Sequence, residues 1–235
     1  MSFPYTRKPD FHDLAEVNYD AYWLVRDSNE VAVRNVHRER ESIFINWVQP
    51  RSRVLDIGCG DSPVLRDLKE QKNCHVEGMD VSALAVEAQK QAGVPARVGN
   101  AGGADFSLDQ NYDYVILSEI LEHLPYPEKL LHNIKSHSRY FIVSIPNSAY
   151  LPYRLGLLIH GRFFTQWVFH PAEHLRFWSH LDFLDWSEAL GFRVIRSEAS
   201  NGLQWRFLRF NKYCPNLFGH QICYLMESKR PAISG

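Results

Sequence analysis

The chain of 235 residues has little cysteine, no long apolar run and no excess of charge of either sign. Its four cysteines lack the paired spacing of a metal site or a disulfide framework: Cys59, Cys74, Cys214 and Cys223. No apolar stretch approaches the roughly 20 residues of a membrane span, and the first residues lack the apolar core of a signal peptide. Lysine and arginine form no polybasic run. These absences predict a reduced, soluble, cytoplasmic protein with neither nucleic acid nor a membrane as its partner.

The most informative motif is a glycine turn after a strand-like apolar run. The run contains Asp56 and ends before Gly58-Cys59-Gly60. A tight turn from a strand into a helix needs backbone angles that side chains forbid, and the missing Cβ atoms let a ligand lie against the main chain. Asp80 ends the next strand-like run, about 20 residues downstream, where a ribose would present its hydroxyls. This spacing predicts a nucleoside cofactor.

The residues after the turn distinguish between nucleoside ligands. A dinucleotide site has a third glycine where this chain has Ser62 and Pro63, and the charge of Asp61 would repel a pyrophosphate. Asp56 and Asp61 instead favour a ligand that carries a sulfonium and an α-ammonium group. Asp-x-Gly-x-Gly at the end of a first strand resembles the motif of class I S-adenosylmethionine (SAM) methyltransferases. An NAD-dependent oxidoreductase is therefore the disfavoured alternative.

The apolar periodicity predicts an α/β fold with a helical N-terminal extension. An amphipathic helix is predicted at 29–48, and strands that alternate with helices are predicted at 53–57, 76–80, 96–99, 112–118 and 140–145. Such alternation predicts a doubly wound, mostly parallel sheet. The family resemblance implies that this sheet is Rossmann-like and seven-stranded, and that a final antiparallel strand at 221–226 follows a strand at 192–196.

One domain is expected, and it divides into four parts. These are a helical cap at 1–49, a SAM-binding core at 50–146, an aromatic insertion at 147–180, and a C-terminal helix and hairpin at 181–235. The aromatic residues of the insertion suit core packing, an oligomer surface or a substrate lid, and their position after strand 5 favours the lid. The predicted lid residues, with two from the N-terminal cap, are Tyr22, Trp23, Tyr150, Tyr153, Arg154, His174 and Trp178.

The family resemblance also implies a role for each residue at the strand ends. The glycine turn would hold the methionine part of SAM, Asp80 the ribose hydroxyls, and Val81 would lie beside the adenine. Asn100 would meet the adenine amino group, or it simply begins a turn before Gly102; both interpretations stay open. The predicted cofactor-binding residues are Asp56, Gly58, Cys59, Gly60, Asp80, Val81, Asn100, Ala101, Ser118 and Glu119.

A second motif, at 118–125, resembles the Glu-x-x-x-His run that follows the fourth strand in many of these enzymes. Methyl transfer is an in-line displacement, for which the protein supplies alignment and, for a hydroxyl or amine acceptor, a base. His123 is the candidate catalytic base, since imidazole titrates near working pH. The alternative is a histidine that lines the cofactor or caps a helix.

Three later histidines invite a metal interpretation, which the sequence disfavours. His170 and His174 share a face only in a helix, where Pro171 is tolerated in the first turn alone. His180 would be the third ligand, and no cysteine or aspartate cluster completes the set. We therefore predict no metal site from these residues.

Segments at 143–147, 153–162 and 174–178 resemble the MetW-type branch of the superfamily. Members of that branch are associated with homoserine acetyltransferase in methionine biosynthesis, which implies a partner enzyme or a homodimer. Ser62-Pro63 and the long N-terminal extension depart from the branch. The sequence therefore predicts a SAM-dependent methyltransferase that acts on a small-molecule acceptor, with O-methylation ahead of N-methylation. The alternative is a SAM-binding regulatory subunit of a biosynthetic enzyme that transfers little or no methyl itself.

Overall fold

The computed structural model describes residues 19–20, 30–103, 105–164, 173–205 and 208–228. The helices of these residues are, in chain order, α1 Glu30–Trp47, α2 Val64–Lys72, α3 Ala83–Gln91, α4 Pro127–Ile134, α5 Leu151–His160, α6 His180–Ala189, α7 Phe210–Tyr213 and α8 Pro215–Phe218. The strands are β1 Arg53–Ile57, β2 His75–Asp80, β3 Ala96–Val98, β4 Tyr112–Ser118, β5 Ser138–Pro146, β6 Phe192–Gly202, β7 Gln204–Trp205, β8 Leu208–Arg209 and β9 Gly219–Ser228. A single 3₁₀ turn, Leu121–His123, follows β4.

Seven of these strands form one sheet in the order β3-β2-β1-β4-β5-β9-β6. Strands β1 to β5 pair in parallel with their neighbours, whereas β9 is antiparallel to β5 and β6. This topology confirms the predicted doubly wound sheet and its antiparallel final strand. Strand order reverses between β1 and β4, so the carboxyl ends of these two strands border the crevice where open α/β sheets bind ligands.

Helices cover both faces of the sheet because successive side chains of a strand point to opposite sides. On β1, Val54 belongs to the apolar cluster that contains Phe44 and Trp47 of α1, whereas Leu55 belongs to the cluster on the other face. That second cluster includes Phe183 of α6. The structure therefore confirms the predicted N-terminal helix and gives it a role, since α1 seals one face of the sheet.

The last two strands are longer than the sequence pattern predicts. Strand β6 was expected at 192–196 but continues to Gly202, and β9 extends past its expected bounds at both ends. The residues at 197–201 are mostly polar, which does not suggest a strand. They nevertheless pair with 220–224 of β9, because β6 is an edge strand and backbone hydrogen bonds hold it there whatever its side chains.

Of the helices that the structure describes, none is both long enough and apolar enough to span a bilayer.

Candidate functional site

The glycine turn follows β1 and is held by the end of β2. Gly58 and Gly60 have φ angles of 76° and 52°, in the region that favours glycine. The N–H groups of Gly58 and Cys59 both donate to the carbonyl of Met79, at 2.7 and 3.1 Å. A Cβ atom at Gly58 would lie 2.9 Å from Cδ1 of Ile120, so the turn packs directly against the segment that follows β4.

Asp80 lies at the end of β2 and is joined to the same turn. Its Oδ2 accepts from the N–H of Gly60, and its Oδ1 accepts from the N–H of Ser82, each at 2.9 Å. Burial raises the pKa of Asp80, and these N–H groups partly offset that effect. A carboxylate has about four acceptor positions, so each oxygen keeps a lone pair beyond these two bonds. The side chain is therefore fixed in place and can still accept from a diol.

Gln89 of α3 holds the glycine turn through hydrogen bonds to its carbonyl groups. This residue was not identified from the sequence. Its buried Nε2 donates to the carbonyls of Gly60 and Ser62, both at 2.9 Å. The signal was a polar residue on the inward face of α3, where Ala85 and Val86 are also buried. Such a residue is buried only with hydrogen-bond partners.

Asp56 is buried in β1 beside this turn. Burial and then the charge of Asp80 raise its pKa well above the usual range. Its Oδ1 has no hydrogen-bond partner among the residues that the structure describes. A positively charged donor from a ligand would stabilise this carboxylate. Asp61, the other acidic residue that the sequence assigned to a positively charged ligand, is exposed to solvent.

Val81 and Asn100 lie on the side expected for adenine. Val81 is 46% exposed, which is unusual for an apolar residue between a buried strand and a helix. Oδ1 of Asn100 accepts from the N–H of Gly102 at 2.9 Å, the geometry of a side-chain-stabilised turn. Ala101 is buried beside it. Asn100 thus makes the hydrogen bond that the turn interpretation predicts, and its contact with adenine stays a prediction.

Ser118 and Glu119 end β4 and contact groups that the sequence did not connect with them. Oγ of Ser118 lies 3.3 Å from Oγ of Ser144 on β5. Glu119 has a φ of 55°, accepts from Nε2 of Gln221 at 2.9 Å, and pairs with the buried Arg40 of α1 at 3.5 Å. Arg40 was missed because nothing in the helix pattern indicates which strand end its side chain reaches.

Glu122, His123 and His174 converge near this strand end and are called the Glu122 cluster below. One ligand-type atom from each lies within 4.8 Å of the other two. The rings of His123 and His174 are perpendicular, with centroids 4.6 Å apart. Nδ1 of His123 lies 2.6 Å from the carbonyl oxygen of Glu173. Since a carbonyl only accepts, Nδ1 carries the proton and Nε2 carries the lone pair.

Burial controls the charge states in the Glu122 cluster. It lowers the pKa of His123, and together with the neighbouring His123 it lowers the pKa of His174 to about 3. Burial and then the charge of Glu119 raise the pKa of Glu122 well above its usual range. Both carboxyl oxygens of Glu122 lack a hydrogen-bond partner among the described residues. Both histidines are therefore neutral near pH 7.

The histidine grouping considered from the sequence differs from the one in the structure. His180 begins α6, and its Nδ1 lies 3.0 Å from Oη of Tyr224. His170 lies outside the described residues. His174 instead meets His123, about 50 positions earlier in the chain, because the backbone N–H groups of Leu175 and Arg176 both donate to the carbonyl of Glu122.

The predicted lid residues have different surroundings, and one of them, His174, belongs to the Glu122 cluster. Tyr150, Tyr153 and Trp178 are buried, at 6, 6 and 8% exposure, and Trp178 packs against aromatic residues of α6. Arg154 is exposed, and its Nε donates to the carbonyl of Ala149. Tyr22 and Trp23 lie outside the described residues. The buried aromatics thus contribute to packing, and their role beside an acceptor stays a prediction.

Comparison with known proteins places this geometry in a family. A family model described as "Methionine biosynthesis protein MetW" matches residues 38–226. A bifunctional methionine biosynthesis protein MetXA/MetW of Rhodopirellula baltica is 27% identical over 131 residues, which cover 52% of this chain and 21% of that protein. A ubiquinone biosynthesis O-methyltransferase of Pseudomonas savastanoi pv. phaseolicola is 27% identical over 180 residues, which cover 67% of this chain and 75% of that protein.

The fold comparison agrees with the sequence comparison. A solved complex between the Haloferax volcanii Trm112 methyltransferase activator and a methyltransferase matches with a TM-score of 0.67 and 16% identity, and the match covers 92% of this chain and 100% of that one. The match to the bifunctional relative spans only about a fifth of that protein's length. The MetW family model, in contrast, spans most of the length of this chain, and the chain therefore belongs to the MetW family, within the class I SAM-dependent methyltransferases.

Proposed function

We propose that this protein transfers the methyl group of SAM to a hydroxyl oxygen of a small molecule. One observation carries the proposal: a glycine turn with a fixed carboxylate lies directly against a segment that bears a histidine with an available Nε2 lone pair. The first part suits a nucleoside cofactor, and the second suits an acceptor that must lose a proton.

The residues around the turn fit SAM by their chemistry. Gly58 and Gly60, with φ angles of 76° and 52°, form the tight turn against whose main chain the methionine part would lie. Asp80 keeps acceptor positions for the ribose hydroxyls, and the exposed Val81 offers an apolar surface to the adenine. The carboxylate of Asp56 suits the positive charge of the ligand. SAM, when bound, supplies a methyl carbon activated by its sulfonium.

The acceptor side supports O-methylation more than N-methylation. A hydroxyl must lose its proton as the new bond forms, and the lone pair on Nε2 of His123 can accept that proton. The curated Pseudomonas relative is a ubiquinone biosynthesis O-methyltransferase, and its match covers 67% of this chain. The acceptor of this chain is proposed only as a small hydroxylated molecule.

A second function is supported by a specific observation. In Rhodopirellula baltica the MetW part is joined to a MetXA part in one bifunctional protein. This chain also exposes apolar side chains on α5 and just after it, namely Leu157, Leu158, Ile159 and Phe163. Such a patch suits contact with another protein. The alternative is therefore a SAM-binding subunit that regulates a biosynthetic partner.

The deciding experiment follows the label of methyl-labelled SAM. The purified protein is incubated with labelled SAM and an extract of the source organism, and the small-molecule fraction is examined. Label that depends on the protein and disappears in Asp80→Ala, but not in Gly93→Ala, would establish methyl transfer from the proposed site. SAM binding without any transferred label would contradict the enzyme and favour the regulatory subunit, for which co-purification is the next measurement.

A further inference from the structure

We propose that the Glu122 cluster binds a first-row divalent transition metal ion through a carboxylate oxygen of Glu122, Nε2 of His123 and a ring nitrogen of His174. Two imidazoles and one carboxylate are a donor set that suits Zn²⁺, Mn²⁺, Co²⁺ or Fe²⁺ better than Mg²⁺ or Ca²⁺. Three protein ligands also leave at least one position open for another molecule.

The distances suit such an ion. A tetrahedral cation with ligand distances of about 2.0–2.2 Å separates its ligand atoms by about 3.3–3.6 Å. The ligand atoms of the Glu122 cluster already lie within 4.8 Å of one another. The proposed site requires side-chain rotations that close the remaining gap.

Glu122 supplies an independent reason to expect a cation. It is 1% exposed, and neither of its carboxyl oxygens has a hydrogen-bond partner among the residues described. A buried carboxylate without a partner is costly, and buried charges are normally paired or bind metal ions. The neighbouring Glu119 already binds Gln221 and pairs with Arg40, so it does not satisfy Glu122.

The surroundings orient the ligands as metal sites require. Nδ1–H of His123 donates to the carbonyl of Glu173 at 2.6 Å, which leaves Nε2 as the ring nitrogen with a lone pair for a metal ion. The two segments that carry the ligands are joined by the bonds from Leu175 and Arg176 to the carbonyl of Glu122, at 2.7 and 3.2 Å. The cluster is therefore built on main-chain hydrogen bonds and not on two independent loops.

The site has a use in the proposed reaction, and this link rests on the proposed function. A hydroxyl acceptor bound to the cation loses its proton more readily, and the proton passes to water. The oxygen lone pair then forms the C–O bond while the C–S bond of SAM breaks, which releases S-adenosylhomocysteine. In the loaded protein His123 is thus a ligand and not the base.

Metal binding is tested with Co²⁺ and Zn²⁺ alone. After treatment with a chelator, the full-length protein is titrated with Co²⁺ while the visible ligand-field spectrum is recorded, and bound Zn²⁺ is measured after equilibrium dialysis. We expect one ion per chain and a weakening of at least about tenfold, the scale of losing a metal-site contact, in both His174→Gln and Glu122→Gln. His132→Gln, which alters an exposed histidine of α4, should bind like the unaltered protein.

Two further measurements keep the outcomes distinct. Circular dichroism and SAM affinity check that each variant is folded, and His180→Gln reports the effect of altering a buried histidine outside the cluster. Equal Co²⁺ spectra and Zn²⁺ stoichiometry in folded His174→Gln and in the unaltered protein would overturn the metal site. Equal rates of label transfer with and without the ion would overturn only the catalytic link, and an absence of label transfer would leave the measured metal site intact.

Discussion

Single residues determine whether the cofactor crevice can form. Gly58 has a φ of 76°, which favours glycine, and a Cβ atom there would press on Cδ1 of Ile120. Asp80 performs two tasks, since it holds the turn through Gly60 and keeps acceptor positions for a ligand. At this scale the structure supplies a reason for each position that the motif indicated.

Gly58→Ala should weaken SAM binding by more than about tenfold, or about 1.4 kcal/mol. The added Cβ would contact Cδ1 of Ile120 at 2.9 Å, so the turn or the side chain of Ile120 must shift, and the φ of 76° adds backbone strain. Gly93→Ala is the matched control, because Gly93 also has a φ of 76° but has nothing within 4 Å of its Cβ position. Isothermal titration with SAM measures both, and equal losses in the two variants would reject the steric explanation.

Asp80→Ala should weaken SAM binding by on the order of 1–3 kcal/mol, the cost of losing hydrogen bonds to a charged group. It should also lower the melting temperature, because the N–H groups of Gly60 and Ser82 lose their acceptor. Asp80→Asn keeps one acceptor oxygen, so its SAM affinity and melting temperature should lie between those of Asp80→Ala and of the unaltered protein. Glu87→Ala, at an exposed position of α3, serves as the control. Unchanged SAM affinity in Asp80→Ala would contradict the assignment to the ribose.

At the scale of elements, Asn147 joins four segments beyond the end of β5. Its buried Nδ2 carries two hydrogens, which are shared among the carbonyl of Gly219 at 2.8 Å and two carbonyls of α8 at 3.1 and 3.3 Å. Its Oδ1 accepts from the N–H groups of Ala149 and His180. One side chain thus fixes the starts of β9 and α6 and the approach to α5.

Asn147→Ala should lower the free energy of unfolding by at least about 2 kcal/mol, because several buried carbonyl and N–H groups lose their partner at once. Asn133→Ala removes a single bond, from its Nδ2 to the carbonyl of Phe106 at 2.9 Å, and should cost about 1 kcal/mol. Urea unfolding of both variants gives the comparison. A loss in Asn147→Ala no larger than that in Asn133→Ala would contradict the joining role.

At the scale of the molecule, α1 connects the crevice with the far edge of the sheet. Arg40 pairs with Glu119 at the end of β4, and Glu39 accepts from the N–H of Asn201 on β6 at 2.8 Å. The same helix buries Phe44 and Trp47 against the sheet. Residues of the N-terminal extension therefore belong to the folded unit and to the environment of the site.

One partly buried imidazole should make the free energy of unfolding of the whole molecule depend on pH, and its contribution should fall with acidification. Burial lowers the pKa of His220 from its ordinary 6.5 to about 4. Between these values the unfolded chain binds more protons, so His220 favours folding above pH 6.5 and this contribution is lost as the pH falls towards 4. The slope from one such residue is at most about 1.4 kcal/mol per pH unit.

His220→Gln should therefore reduce the slope of unfolding free energy against pH in this window, whatever its effect on absolute stability. Gln71→Ala, at an exposed position of α2 that carries no titratable group, should leave the slope unchanged. Urea unfolding across the window measures both. The partly buried His123 and His174 and the buried His180 retain lowered pKa values, so part of the slope remains. An unaltered slope in His220→Gln would reject the assignment.

The sequence by itself determined the order of the elements, the sheet class and the glycine turn with its downstream carboxylate. These follow from local rules, since strand and helix periods and the need for glycine at positive φ act over a few residues. Strands β1 and β4 were predicted with their observed bounds for this reason. Strand β6 was predicted too short, because its polar half is held by pairing with β9 and not by its own composition.

Only the tertiary structure decided which distant residues meet. It joined His174 to Glu122 and His123, Arg40 to Glu119, and the side chain of Gln89 to the turn, across separations that no local period encodes. It also showed that Tyr150, Tyr153 and Trp178 are buried, which the aromatic composition of their segment had left open. The physical reason is that burial and long-range hydrogen bonds depend on how the sheet brings its strand ends together, and composition alone carries no record of that arrangement.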